Sequence, residues 1–199
     1  MFKRLLLIGN VLLVMAAAFV VVPQIKPMTV LAKQPLVLDV AIDGRTFRLD
    51  NPAPPNPFNP FSPANIGLIK RGNTFIVTGK IYPGGTIPAG GSFGSPVFSP
   101  DNPGSIGTWI CRGTFALDGT DILAGSLPMV YTTQIFQLSG GSIWSDGAEG
   151  GPNVRAVTGG TGSYSGASGD VAQMDLGVNS AGTSQDFNLR ESFTLHEKN

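Results

Sequence analysis

From residue 36 onward apolar and polar residues alternate in short runs, broken by glycine- and proline-rich turns, and no long segment holds a 3.6-residue period. A period of two is what a strand shows when it buries one face. LVLDVAI (36–42) and TFRLD (46–50) flank Asp43-Gly44, a signal for a two-residue hairpin. NTFIVTGKIYP (73–83) sets Phe75, Val77, Gly79 and Ile81 on one face, and GTWICRGTFAL (107–117) does the same with Trp109, Cys111, Gly113, Phe115 and Leu117. PMVYTTQIFQLS (128–139), SIWSD (142–146), a run beginning VRAVT at 154, GDVAQMDLG (169–177) and DFNLRESFTL (186–195) follow. All are joined by turns, so they pair antiparallel. About eight strands of this kind make a sandwich or a closed barrel, and closure removes exposed edges. A barrel of about eight strands is filled by side chains or holds one small ligand.

Two connections stand out between these runs. NPAPPNPFNPFSP (51–63) reads as an extended wrap whose Phe58 and Phe61 plug an apolar end of the fold. Residues 83–105 form a long Gly/Pro-rich loop, and loops of that length often cover a binding site. Ahead of the strands, Lys3 and Arg4 precede an uncharged run from Leu5 to Val22, with Val30-Leu31-Ala32 as a small-residue cleavage pattern. The reading is a signal peptide over 1–32, with an uncleaved anchor at 5–22 as the alternative and the only membrane contact expected. The product is secreted or periplasmic. Residues 33–68 then supply the first strands and the proline-rich connection, and 69–197 the barrel domain.

Charge narrows the partners. Of 13 basic residues, Lys3, Arg4 and Lys26 leave with the leader, so 10 remain against 13 acidic ones. No basic stripe for nucleic acid survives. Cys111 is the one cysteine, so the chain forms no intramolecular disulfide, and packing is that thiol's default role. GGSFG (90–94) fits G-x-S-x-G around Ser92, but it sits in a loop and the one histidine is His196. GGTG (159–162) lacks the Lys and the following helix of a phosphate loop. No cofactor or metal site is expected: one His and one Cys do not make a zinc set. Asp146 and Glu149 leave a calcium site open beside their ordinary role as solvated loop acids.

Two carboxylates interrupt apolar runs. Glu191 shares a face with Phe187, Leu189, Phe193 and Leu195. There it is either a desolvated group fit for general acid or base work, or is turned out to solvent by a bulge. Asp39 in LVLDVAI faces out if Leu36, Leu38 and Val40 face in, or sits in a pocket if both faces are covered.

VTGGTGSYSGASGDV (157–171) resembles the glycine stretch of allene oxide cyclases and the G-G-T-G stretch of dirigent proteins, two families that share an eight-stranded barrel. Gly159, Gly160, Gly162 and Gly166 match the cyclase spacing, with Tyr164 at its aromatic position. The resemblance spans about 70–195 and implies an all-β antiparallel barrel of allene oxide cyclase/dirigent type. The glycines themselves predict a bent hairpin, with positive φ at Gly159-Gly160 and Tyr164 packing back. The resemblance further implies a small apolar partner held inside and a cyclase or isomerase activity. Cys111 stands at the cavity-cysteine position and Asp39 near the early-strand carboxylate. Trp109, Phe115, Tyr131, Tyr164 and Glu191 are the expected cavity residues. Ser163 and Ser168 depart from the dirigent pattern at its acidic and arginine positions, against steering of phenol radical coupling. Plant cyclases of this fold form trimers, which makes a homo-oligomer one expected state. A non-catalytic extracellular binding or structural module is the alternative function.

Overall fold

A computed structural model describes residues 35–50, 66–150, 154–181 and 184–196. The predicted leader (1–32) and the whole of the proline-rich wrap (51–63), with Phe58 and Phe61, lie outside the described residues. Eight strands close into one antiparallel barrel in sequence order: β1 (Leu36–Leu49), β2 (Thr74–Pro83), β3 (Gly107–Phe115), β4 (Val130–Leu138), β5 (Gly141–Glu149), β6 (Val154–Gly160), β7 (Gly169–Ala181) and β8 (Ser184–Leu195). β1 pairs with both β2 and β8, so the first strand is the stave that closes the barrel. One short helix, α1 (Gly119–Leu123), sits between β3 and β4.

Asp43-Gly44 does not make a hairpin. Residues 36–49 run as one bent strand, with a register shift against β2 between Asp43 and Arg48. Thr46 is the reason. Its hydroxyl donates to the Asp43 carbonyl at 2.8 Å and accepts the Thr78 N–H at 2.8 Å, so a side chain fills the ladder where the backbone bulges.

The glycine motif forms the bent β6–β7 hairpin, with a 3-10 turn at Gly162–Tyr164. Positive φ falls at Gly162, Gly166 and Gly169 rather than at Gly159-Gly160. Gly160 is needed for proximity: a Cβ there would lie 2.4 Å from the Tyr164 carbonyl oxygen.

Alternation divides the interior into two halves. At one end Leu38, Ile81, Phe136, Ile143, Val157, Val171 and Phe193 fill the barrel, with the rings of Phe136 and Phe193 edge to face at 4.9 Å. Toward the other end the side chains leave space.

Residues 84–106 do not cover that opening. They lie as a strap across the outer wall, joined to β7 by the bonds Gly90 N–H to the Leu176 carbonyl (2.9 Å), Val178 N–H to the Gly91 carbonyl (3.0 Å) and Val97 N–H to the Val178 carbonyl (3.0 Å). A bulge between Asp175 and Gly177 turns Leu176 outward, where it packs with Ala41, Tyr82, Ile87 and Phe98 in a second small core beneath the strap.

Candidate functional site

The hollow half of the barrel holds an open-mouthed cavity of about 350 Å³. Phe47, Phe75, Val77, Phe115, Met129 and Leu189 give it apolar walls, and Trp109 and Cys111 stand at the level where the filled half begins. One wall is polar. Trp109 Nε1 donates to Gln134 Oε1 at 3.3 Å, and Gln134 Nε2 donates to Glu149 Oε1 at 3.1 Å and Gln173 Oε1 at 2.8 Å. Glu149 Oε1 also accepts the Thr132 hydroxyl at 2.7 Å.

Behind that wall lies Arg155, whose side chain is wholly buried. It donates to Glu149 Oε1 at 3.0 Å, to the Thr132 carbonyl at 2.8 Å and to Ser145 Oγ at 3.2 Å. A buried guanidinium needs a carboxylate and further acceptors to offset its lost hydration, and these three provide them. Sequence reasoning missed Arg155 and read Glu149 as a solvated loop acid or calcium ligand rather than as its partner. The signal was present: Arg155 shares its face with Val157, while the exposed Val154 points the other way.

Glu191 points inward, without a bulge, and is fully buried. It stands in register with Gln173 on β7 and Leu38 on β1, one row below the cavity-lining Leu189. Neither carboxyl oxygen has a hydrogen-bond partner. Burial raises its pKa to about 8, against the pull of Arg155, so it is a neutral acid at pH 7. Cys111 lines the cavity, and burial together with Glu149 pushes its thiol well up, so it is no thiolate nucleophile. Asp186, on the cavity rim, accepts the Phe187 N–H at 2.8 Å, and desolvation raises it to about 7.

Four residues expected at the cavity do not line it: Glu191, one row below Leu189, and three that lie elsewhere. Asp39 is fully buried on the outer wall beneath the strap, where it receives Arg190 Nε at 2.7 Å and Nη2 at 3.1 Å and caps the Ile87 N–H at 2.8 Å. Both faces of β1 are covered here, and the pocket that holds Asp39 is the strap's. Tyr131 is 58% exposed and points away from the interior. It borders an outer groove of about 700 Å³ with Arg112, Thr133 and Asp146. Tyr164 packs, half-buried, against the core from the hairpin turn and does not line the cavity. Trp109, Phe115 and Cys111 do line it.

Other motifs take structural places. Asp146 and Glu149 face opposite sides of β5: Asp146 accepts the Thr133 and Thr158 hydroxyls outside, and Glu149 binds Arg155 inside. Ser92 exchanges backbone bonds with Ser95 in the strap, with no helix behind it.

Among solved structures, the chain is similar to the pterocarpan synthase dirigent protein PsPTS1, with 13% identity, 83% of this chain and 96% of that one covered, and a TM-score of 0.51. The fold is a dirigent-like barrel. A second pterocarpan synthase dirigent protein, GePTS1, aligns at 14% identity over 83% of this chain and 86% of its own, with a TM-score of 0.49. Pyocyanin demethylase aligns at 16% identity over 81% and 98%, with a TM-score of 0.46. No protein-family profile and no curated protein matches the chain.

Proposed function

We propose that this barrel binds one small, mostly apolar molecule in its hollow half. The observation that carries the reading is the cavity of about 350 Å³ open at one end of the barrel, aromatic and aliphatic on most sides and polar on one. Its size lies within the ordinary range for ligand sites, roughly 300–1,000 Å³. The apolar walls supply affinity, and the Gln134–Glu149–Gln173 side fixes orientation. Export of the protein is part of this reading, supported by Lys3 and Arg4 ahead of the uncharged run 5–22.

The chemistry that fits such a site is cyclisation or isomerisation. It needs no net oxidation, and a confined substrate is held near its reactive conformation. The resemblance of residues 157–171 to allene oxide cyclases supports the same class. Glu191 is the proton donor in this scheme: the buried neutral acid beside the cavity lends its proton where charge develops and takes one back from the substrate as the isomer forms, so no proton is gained or lost overall. Cys111 acts by shape and by its neutral thiol, not as a nucleophile.

Binding without conversion is the second reading, and a specific observation favours it: Glu191 stands beside the cavity wall rather than in it. Native mass spectrometry of the protein purified from its own host is the test. The expected result is one co-purified organic molecule per chain, released by denaturation. A ligand-free mass at every collision energy, from protein never exposed to organic solvent, contradicts the proposal.

A further inference from the structure

The polar wall of the cavity is a chain of hydrogen bonds whose direction is fixed at both ends. An indole N–H only donates, so Gln134 turns its carbonyl Oε1 to Trp109, 3.3 Å away. At the other end, Glu149 Oε1 receives Arg155 at 3.0 Å and Gln134 Nε2 at 3.1 Å. A carboxylate paired to a guanidinium only accepts. Both contacts therefore demand the same orientation of the Gln134 amide, a choice often left open for this group. The other Gln134 N–H goes to Gln173 Oε1 at 2.8 Å.

Gln173 has no freedom left in this respect. It gives its carbonyl to Gln134, so its –NH2 is turned away. That nitrogen donates to no partner among the described residues. Gln173 belongs to the inward row of β7 with Val171 and Asp175, yet it is only half-buried, and it lines the cavity. Because Gln173 lines the cavity, the cavity is the open space within reach of its amide. In register beside it, Glu191 holds two carboxyl oxygens without partners. The remaining acceptor of the network, Glu149 Oε2, belongs to the last residue of β5, whose side chain is 22% exposed and open to water.

We propose that Gln173 is the polar anchor of the bound molecule, donating Nε2–H to a carbonyl or similar acceptor oxygen on an otherwise apolar ligand. This rests on the pocket reading above and names its ligand class. A ligand without such an oxygen strips water from the Gln173 amide and offers nothing in return, which is the larger part of the discrimination.

The test uses two probes of nearly equal shape, 2-acetylnaphthalene and 2-ethylnaphthalene, titrated against the full-length protein by quenching of tryptophan fluorescence. The ketone is expected to bind about tenfold more tightly, the range for one satisfied against one orphaned buried donor. Its ¹³C-labelled carbonyl band is expected to shift to lower frequency on binding. In Gln173→Met, both the preference and the band shift are lost while the hydrocarbon binds as before. Equal affinity for the two probes in the unaltered protein overturns the proposal and leaves the pocket reading intact, as does a ketone preference that survives Gln173→Met. The unshifted carbonyl band of bound ketone overturns it without recourse to any variant. If neither probe binds, the pocket reading falls and this inference falls with it.

Discussion

Asp39 and Glu191 are strand carboxylates with no side-chain exposure, and their surroundings give them opposite consequences. Asp39 accepts from Arg190 and from the Ile87 N–H, and through these bonds it fastens the strap. Glu191 has no partner and keeps its proton. A carboxyl whose folded pKa is raised favours folding below its unfolded value, and that stability is lost as pH climbs toward the folded value. For Glu191 the window runs from about 4.5 to about 8, and for Asp186 from 3.8 to about 7. Stability measured by denaturant unfolding is therefore expected to fall from pH 5 to pH 8. The segment between pH 7 and 8 belongs mainly to Glu191, and Glu191→Gln is expected to flatten it. A slope unchanged by that substitution, read from unfolding midpoints at half-unit pH steps, contradicts the assignment. The face that Glu191 shares with Phe187, Leu189 and Phe193 was legible, because strand alternation is local, but the absence of a bulge that would turn it outward was not. Arg155 was not read that way, since a lone arginine in a β-rich run looks like a solvent-facing residue until its acceptors are brought in by β4 and β5.

At the scale of elements, the strap depends on one close approach of backbones. A Cβ on Gly91 would lie 2.0 Å from the Val178 carbonyl oxygen, and Gly177, across from it, has φ of +101°. Gly91→Ala is thus expected to lift the strap off β7, at a cost of about 1–3 kcal/mol. Cleavage by chymotrypsin after Phe98, which now packs on Tyr82 with rings 5.0 Å apart, should speed up markedly. Ligand binding should stay unchanged, because the strap covers the outer wall and not the cavity. Loss of binding in Gly91→Ala would show that the strap holds the cavity after all. Most strands were visible as alternating runs with turn residues between them. The failures were elements shaped by distant contacts. Asp43-Gly44 reads as a hairpin until Thr78 arrives to pair with the Thr46 hydroxyl, and the long loop looks like a lid until Leu176 and Tyr82 give its Ile87 a place to pack.

The whole molecule is a barrel divided between stability and binding. The end closed by Leu38, Phe136 and Phe193 is packed, and so the other end has room for a cavity without loss of the closed sheet. The sequence carries about eight antiparallel strands, which suit a sandwich or a barrel, and the resemblance at 157–171 is what points to closure. It does not carry the division, because filled and hollow rows show the same alternation and differ only in how large side chains meet across the barrel. The central claim is that the hollow half takes an apolar guest. A fluorescence titration with N-phenyl-1-naphthylamine, a neutral dye that brightens in apolar surroundings, tests this most directly, since buried Trp109 lines the cavity and transfers energy to a bound dye. The account predicts saturable binding of one dye per chain with quenching of Trp109, lost in Val77→Phe, which fills the cavity, and kept in Tyr131→Ala, which alters only the outer groove. Binding that is unsaturable, or that disappears with Tyr131→Ala and survives Val77→Phe, would contradict it.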